Sequence, residues 1–141
     1  MKRLERKSNA AFTLIEIMLV IVIVVALMAV LLPNLRTSMN DAKKGTAEMY
    51  VNKLAGDLAL YEAMNGRAPT TQQGLMALVQ KPTSEPVPRK WSQREEKLEL
   101  DPWSRDYLYE SPGKHNPNGF DVFSAGPDGQ PGTDDDIGNW K

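Results

Sequence analysis

The chain has 141 residues, with 17 basic and 18 acidic side chains and a formal net charge of −1. That is one domain's worth of chain with a small core, and the charge balance offers nothing overall for nucleic acid to bind. Cysteine is absent, which excludes a disulfide framework and any zinc or iron–sulfur site built on thiolates; it leaves the compartment open, because an exported protein need not use disulfides.

The charge is unevenly placed. Residues 1–11 hold Lys2, Arg3, Arg6 and Lys7 against the single acid Glu5, so the remaining 130 residues are net acidic. The basic segment is followed by an apolar run from Phe12 to Leu32, of which Ile17–Leu32 are 16 consecutive apolar residues. Twenty-one residues at about 1.5 Å each cross a bilayer core as a helix. The Lys/Arg bias keeps residues 1–11 cytoplasmic and sends the C-terminal part across.

A cleaved secretory signal explains the basic start, but the run is long for one and Leu31-Leu32-Pro33-Asn34 is a poor small-residue exit. A plain membrane anchor explains all but Glu16, a carboxylate that costs several kcal/mol in an apolar helix unless paired or hydrated. The hexapeptide Ala11-Phe12-Thr13-Leu14-Ile15-Glu16 resembles the processing signal of type IV pilins and pseudopilins. The resemblance implies that a prepilin peptidase cuts between Ala11 and Phe12 and methylates the new Phe12 amino group. Glu16 is then the assembly residue, paired with a Phe12 ammonium in its own chain or in a neighbouring subunit. The family favours Gly where Ala11 stands.

Past Pro33, whose missing donor favours a kink or local melting, Leu35, Met39, Ala42, Met49, Leu54, Leu58 and Tyr61 recur at roughly helical spacing. Asn65-Gly66 reads as a C-cap. One long helix is therefore expected from about residue 12 to 64, with a weak stretch at Asn40–Gly45. Thr70 and Gln73 match a capping box opening a second helix, with Leu75, Leu78 and Val79 as its apolar face. Pro82–Arg94 reads as a loop. Short strands are expected at Tyr107–Glu110, Phe120–Ser124 and Ile137–Trp140, separated by Pro, Gly and Asn turns. The predicted fold is α+β and pilin-like: a long N-terminal helix, transmembrane in its first half, packed on a small antiparallel sheet. The expected parts are a leader at 1–11, a transmembrane or filament-core helix at 12–32, and a periplasmic head at 33–141.

Asp128, Asp134, Asp135 and Asp136 fall within nine residues of a Gly/Pro turn region. A solvated acidic loop and a hard-cation site both fit such crowding, and the EF-hand spacing is not met. His115 reads as a loop residue, and Trp91, Trp103 and Trp140 as packing.

The head also resembles the major pseudopilins of the type II secretion system. The matching words are Pro69-Thr70-Thr71-Gln72-Gln73-Gly74-Leu75, Asp101-Pro102-Trp103, Ser111-Pro112-Gly113, Gly126-Pro127-Asp128-Gly129 and Asp136-Ile137-Gly138-Asn139-Trp140. Ser104 stands where Gly is usual. Ala55 and Ala59 stand where relatives can carry acids for inter-subunit ion pairs, so those pairs do not carry over. The resemblance implies bound Ca²⁺, with Asp128, Asp135 and Asp136 as carboxylate ligands and the main-chain oxygens of Ala125 and Thr133 as additions; Asp134 is the remaining acid of the group.

It also implies a structural, non-enzymatic subunit of the inner membrane that polymerises with itself into a periplasmic filament and drives folded proteins across the outer membrane. Its implied partners are minor pseudopilins, the prepilin peptidase, the inner-membrane assembly platform and the secretion ATPase. A surface type IV pilin for adhesion, motility or DNA uptake is the alternative, though DNA uptake would want a basic patch. An anchored Ca²⁺-dependent periplasmic enzyme is the third reading, and Glu16 together with the lack of a legible catalytic set argues against it.

Overall fold

A computed structural model describes residues 12–141. They fall into two compact units, the first ending at Met39 and the second spanning Asn40–Lys141. The chain order is α1 (Leu14–Asn65), α2 (Met76–Val79), β1 (Leu108–Glu110), β2 (Asp121–Ser124) and β3 (Ile137–Gly138). The three strands form one antiparallel sheet in the order β1-β2-β3, with Tyr109 opposite Val122 and Ser124 opposite Ile137.

Helix α1 has 52 residues and runs through Pro33 without a break. The expected local melting is not seen there, although proline cannot donate to the Ala29 carbonyl one turn back; the Thr37 hydroxyl donates to the Pro33 carbonyl at 3.2 Å. The weak stretch Asn40–Gly45 is helical as well. The helix stops where a glycine can take a left-handed turn. Gly66 has φ +75° and its N–H reaches the Glu62 carbonyl at 2.7 Å, as a C-terminal cap requires.

Only one stripe of α1 is buried: Ala47, Val51, Leu54, Leu58 and Tyr61. This spacing keeps one face of a 3.6-residue helix toward the core. The expected face was partly misplaced, since Leu35, Met39 and Met49 are exposed. Met49 lies two residues from both Ala47 and Val51, and so faces away from their side of the helix. Val51, Leu54 and Leu58 pack with Leu75, Leu78, Tyr107, Phe120 and Val122.

The Thr70–Gln73 capping box forms in both directions, Thr70 N–H to Gln73 Oε1 at 3.1 Å and Gln73 N–H to Thr70 Oγ1 at 3.2 Å. Residues 71–75 are turns, however, and α2 proper is a single turn of four residues. The loop after it is tied down by side chains. Gln73 donates to the Ser84 carbonyl at 2.9 Å, Trp91 Nε1 to the Ala77 carbonyl at 2.8 Å, and Asn65 exchanges bonds with the Lys90 backbone. The Lys53 ammonium pairs with Glu95, which is buried.

Strand bounds match the expected ones within one residue at Leu108 and Asp121, but β3 ends at Gly138. Beyond it Asn139 turns inward instead of extending the strand: its Oδ1 accepts the Val122 N–H at 3.1 Å and its Nδ2 donates to the Phe120 carbonyl at 3.1 Å.

Ser104 is the sole non-glycine residue with positive φ among the described residues, at +66°. A side chain there meets the following carbonyl, at a cost of roughly 1–2 kcal/mol that glycine avoids. Ser104→Gly is expected to raise the unfolding free energy by up to about 1 kcal/mol, the strain relief being offset in part by the more flexible unfolded chain. Ser104→Val is expected to lower it. Thermal melts of the two variants against the parent check both signs.

Candidate functional site

Two regions carry the residues singled out from the sequence. The first is the start of α1. Ala11 lies outside the described residues; Phe12 is exposed. Thr13 and Glu16 form a reciprocal cap. Thr13 N–H and Oγ1 donate to Glu16 Oε2 at 2.8 and 2.9 Å, and the Glu16 N–H returns to Thr13 Oγ1 at 3.3 Å. The spacing Thr13-Leu14-Ile15-Glu16 is itself a capping-box signature, a legible signal that the reading of Glu16 as an assembly residue did not use. The carboxylate therefore has an ordinary local role at a helix N-terminus, where it also complements the helix dipole. Every large apolar side chain from Phe12 to Leu32 is exposed, on a helix long and apolar enough to cross a membrane.

The second region is the C-terminal loop. Its acids are not equivalent. Asp136 is only 3% exposed; Oδ2 accepts the Gly132 N–H at 2.7 Å, while Oδ1 is buried with no hydrogen-bond partner. Asp135 is half-buried, and a Cβ on Gly126 would overlap its carbonyl oxygen, so the two arms of the loop touch through backbone. Asp128 is exposed, with Oδ1 accepting the Gln130 N–H at 2.9 Å. Asp134 is exposed and offers its carbonyl to the Lys141 ammonium at 3.2 Å. The Ala125 carbonyl accepts Gly129 N–H at 3.1 Å and the Thr133 carbonyl accepts Asp136 N–H at 3.2 Å.

Among the described residues no three acidic, His or Cys side chains converge on one point. What the structure brings together is the Gly126 backbone and the Asp135 carbonyl, next in the chain to the buried Asp136 carboxylate. The side chains of Asp128 and Asp134 are exposed, and Asp134 lines one cavity with Asp135 and Asp136. A buried carboxylate oxygen left without a donor is costly, and a hard divalent cation is one partner that satisfies it. Each carbonyl keeps a second lone pair for such an ion. The donor set fits calcium in kind: all oxygen, part side chain and part main chain.

Two hubs flank this loop, and both couple distant positions. Asp101, 4% exposed, accepts Trp103 N–H and Arg105 N–H through Oδ1, each at 2.9 Å, and the Ser124 hydroxyl through Oδ2 at 2.6 Å. Asp121, 1% exposed, accepts His115 N–H at 2.8 Å and Asn116 N–H and Nδ2 at 3.0 Å each; His115 Nδ1 stands 3.1 Å from its Oδ2. The His115 ring stacks on Trp140, centroids 3.8 Å apart and 10° from parallel. His115 is an exposed loop residue, as expected, and from that loop it also clasps the C-terminal segment. Asp101-Pro102-Trp103 was visible only as a word; its role needs Ser124, 23 residues away.

With this geometry in place, the comparisons are specific. The family described as type II secretion system protein G matches residues 34–140, and the prokaryotic N-terminal methylation motif matches residues 6–32. The chain is 48% identical over 140 residues to the type II secretion system core protein G of Dickeya chrysanthemi, covering 98% of this chain and 90% of that one. It is 42% identical over 142 residues to the core protein G of Pseudomonas aeruginosa, covering 97% and 99%. The crystal structure of the major pseudopilin of enterohaemorrhagic Escherichia coli superposes with a TM-score of 0.69 at 44% identity, over 77% of this chain and 91% of that chain. A methylation motif on a long apolar helix, carried by a small α+β head, defines a pilin-like subunit. The chain belongs to the type II secretion system protein G family, the major pseudopilins. That places it with the major pseudopilins and not with the surface pilins.

Burial alone would push the Asp121 carboxyl up, but the bonds from His115 and Asn116 outweigh it and hold the group below its ordinary value of 3.8. Stability from this carboxylate is complete above the unfolded value and is lost as pH falls through the lowered folded one. Asp121→Asn, which turns donors toward donors, is expected to cost about 1–3 kcal/mol at neutral pH. Its melting temperature should fall less steeply than the parent's below the unfolded value, and a pH series of melts for both proteins checks this.

Proposed function

We propose that this chain is the repeating subunit of a periplasmic pseudopilus, held in the inner membrane by α1 before assembly and packed by the same helix afterwards. One observation carries the reading: the exposed apolar face of Phe12–Leu32 is long enough to span lipid and is joined directly to a folded head. Lipid covers it in the single subunit; neighbouring copies of the helix cover it in the filament. The basic residues 2–7 favour a cytoplasmic amino terminus and a periplasmic head.

Cleavage between Ala11 and Phe12, with methylation of Phe12, exposes an ammonium one helical turn from Glu16. The Thr13 cap holds the Glu16 carboxylate at the helix start, where an incoming subunit's Phe12 ammonium can replace or share the cap. Such a pair in lipid is strong because the alternative is an unpaired intramembrane charge. It would set the axial register between subunits. We read the subunit as structural, not catalytic. Its partners on this reading are further copies, minor pseudopilins, the prepilin peptidase, and the inner-membrane assembly platform with its secretion ATPase. Export of folded proteins follows from filament growth.

We also propose that the C-terminal loop holds Ca²⁺. Asp136 is the anchor, because its Oδ1 is buried without a donor. Asp135 and Asp128 with the Ala125 and Thr133 carbonyls complete the set, and Asp134 stands at its edge. The ion would supply charge neutralisation and a clip across two chain segments; the segments themselves close the head around β3.

Glu16→Leu is expected to insert in the membrane at least as well as the parent, since it removes an intramembrane acid, and to assemble poorly. Sheared or pelleted filament yield at equal membrane levels measures this, and parental yield would sink the register pairing. For the metal, the full chain in detergent should melt higher in Ca²⁺ than in chelator. The stabilisation is about 2.7 kcal/mol at a hundredfold excess over the dissociation constant. Asp136→Ala should erase most of the difference, and Mg²⁺ should substitute badly because it demands a tighter octahedral shell. Equal melting in Ca²⁺ and chelator would leave the loop a solvated turn.

A further inference from the structure

The guanidinium of Arg105 sits against the first arm of the C-terminal loop. Its Nη2 donates to the Gly126 carbonyl. It lies against Gly129 on the side a Cβ would fill, and Gly129 is left-handed at φ +71°. The Gly126 N–H is held as well, by Ser124 Oγ at 3.1 Å. Ser124 in turn donates to Asp101 Oδ2 at 2.6 Å, and the same carboxylate accepts the Arg105 N–H and stands 3.9 Å from Arg105 Nε. Both backbone polar groups of Gly126 are therefore gripped by one buried cluster of Asp101, Ser124 and Arg105. Gly126 is also where the two loop arms touch, through the Asp135 carbonyl.

We propose that Arg105 is a positioning residue for the cation loop: its guanidinium fixes the Gly126–Gly129 arm so that the Ala125 carbonyl and Asp128 are presented to the Asp135–Asp136 arm. This rests on the calcium reading above. The chemistry favours arginine in this place. A planar fork bonds one carbonyl through Nη2 while Nη1 takes the space beside Gly129, and its fixed charge balances the buried Asp101 carboxylate. A lysine keeps the charge but loses the fork. The arm has few other restraints toward the head: Asp128, Gln130 and Pro131 are all exposed. Without the guanidinium, the carbonyl of Gly126 loses its donor and the arm is free to swing away from Asp136.

Groups that orient metal ligands without touching the ion typically govern affinity by about ten- to a hundredfold. The test is calorimetric titration of Ca²⁺ into the full chain in detergent micelles, well below the melting temperature, for the parent, Arg105→Gln and Arg105→Lys. Circular dichroism confirms the fold of each. Arg105→Gln is expected to raise the Ca²⁺ dissociation constant by at least about tenfold, with Arg105→Lys recovering part of the loss. A residue that merely stabilises the head would lower the melting temperature in chelator and leave the dissociation constant of the folded protein unchanged; that result overturns the proposal. If the parent binds no Ca²⁺, the calcium reading itself fails, and the positioning role fails with it. A parent that binds while Arg105→Gln binds equally well overturns the positioning role alone.

Discussion

The segment Phe12–Leu32 presents apolar side chains all round, interrupted only by Thr13 and Glu16. At about 25 cal/mol for each Å² of apolar surface removed from water, such a helix has two low-energy surroundings, lipid or other copies of itself. Every other feature follows from serving both. The helix has to be regular enough to slide from one to the other, which fits an α1 that stays helical through Pro33. Its single acid has to be satisfied in both: the Thr13–Glu16 cap gives it hydrogen bonds in the single chain, and the proposed Phe12 ammonium of a neighbour would supply the opposite charge in the filament.

The head faces a different problem. Its core is small, built on one helical stripe and a sheet whose strands are two to four residues long. Such a core is marginal on apolar burial alone. Buried aspartates do the remaining organisation. Asp101 ties Trp103, Arg105 and Ser124 together; Asp121 ties the 115–116 turn to β2. Trp140 then closes the C-terminal segment by stacking on His115 and meeting Phe123 edge-on at 5.4 Å. A close approach of backbone explains Gly113 as well, since a Cβ there would overlap the Asp121 carboxylate. These polar hubs leave the C-terminal loop framed from both sides, with one buried oxygen of Asp136 still seeking a partner.

Much of this was legible in the chain because it is local. The C-cap at Gly66, the Thr70–Gln73 box and the strand starts each depend on residues within a few positions of one another. The errors also have physical causes. Leu35, Met39 and Met49 matched a helical spacing but lie off the buried stripe or before its first residue, Ala47; periodicity alone does not say where packing begins. The second helix shrank to one turn because the capping box closes on turns at 71–75. The Asp101–Ser124 bond and the Arg105–Gly126 bond span 23 and 21 residues, and no spacing rule finds contacts at that range. His115 is the exposed loop residue the sequence suggested; its stacking on Trp140, 25 positions along the chain, is what spacing could not show. The Thr13–Glu16 box, by contrast, is plain in the sequence as a capping signature, and the apolar run around it draws attention to the charge of Glu16 instead.

The most direct measurement is a cryo-electron-microscopy reconstruction of filaments grown from this chain with a prepilin peptidase and the secretion assembly machinery present. The expected map shows residues 14–32 of each copy buried against the same segment of neighbouring copies, with the Glu16 carboxylate beside a Phe12 amino group and the heads on the outside. A filament joined by head-to-head contacts, with these helices left apart from one another, would contradict the account.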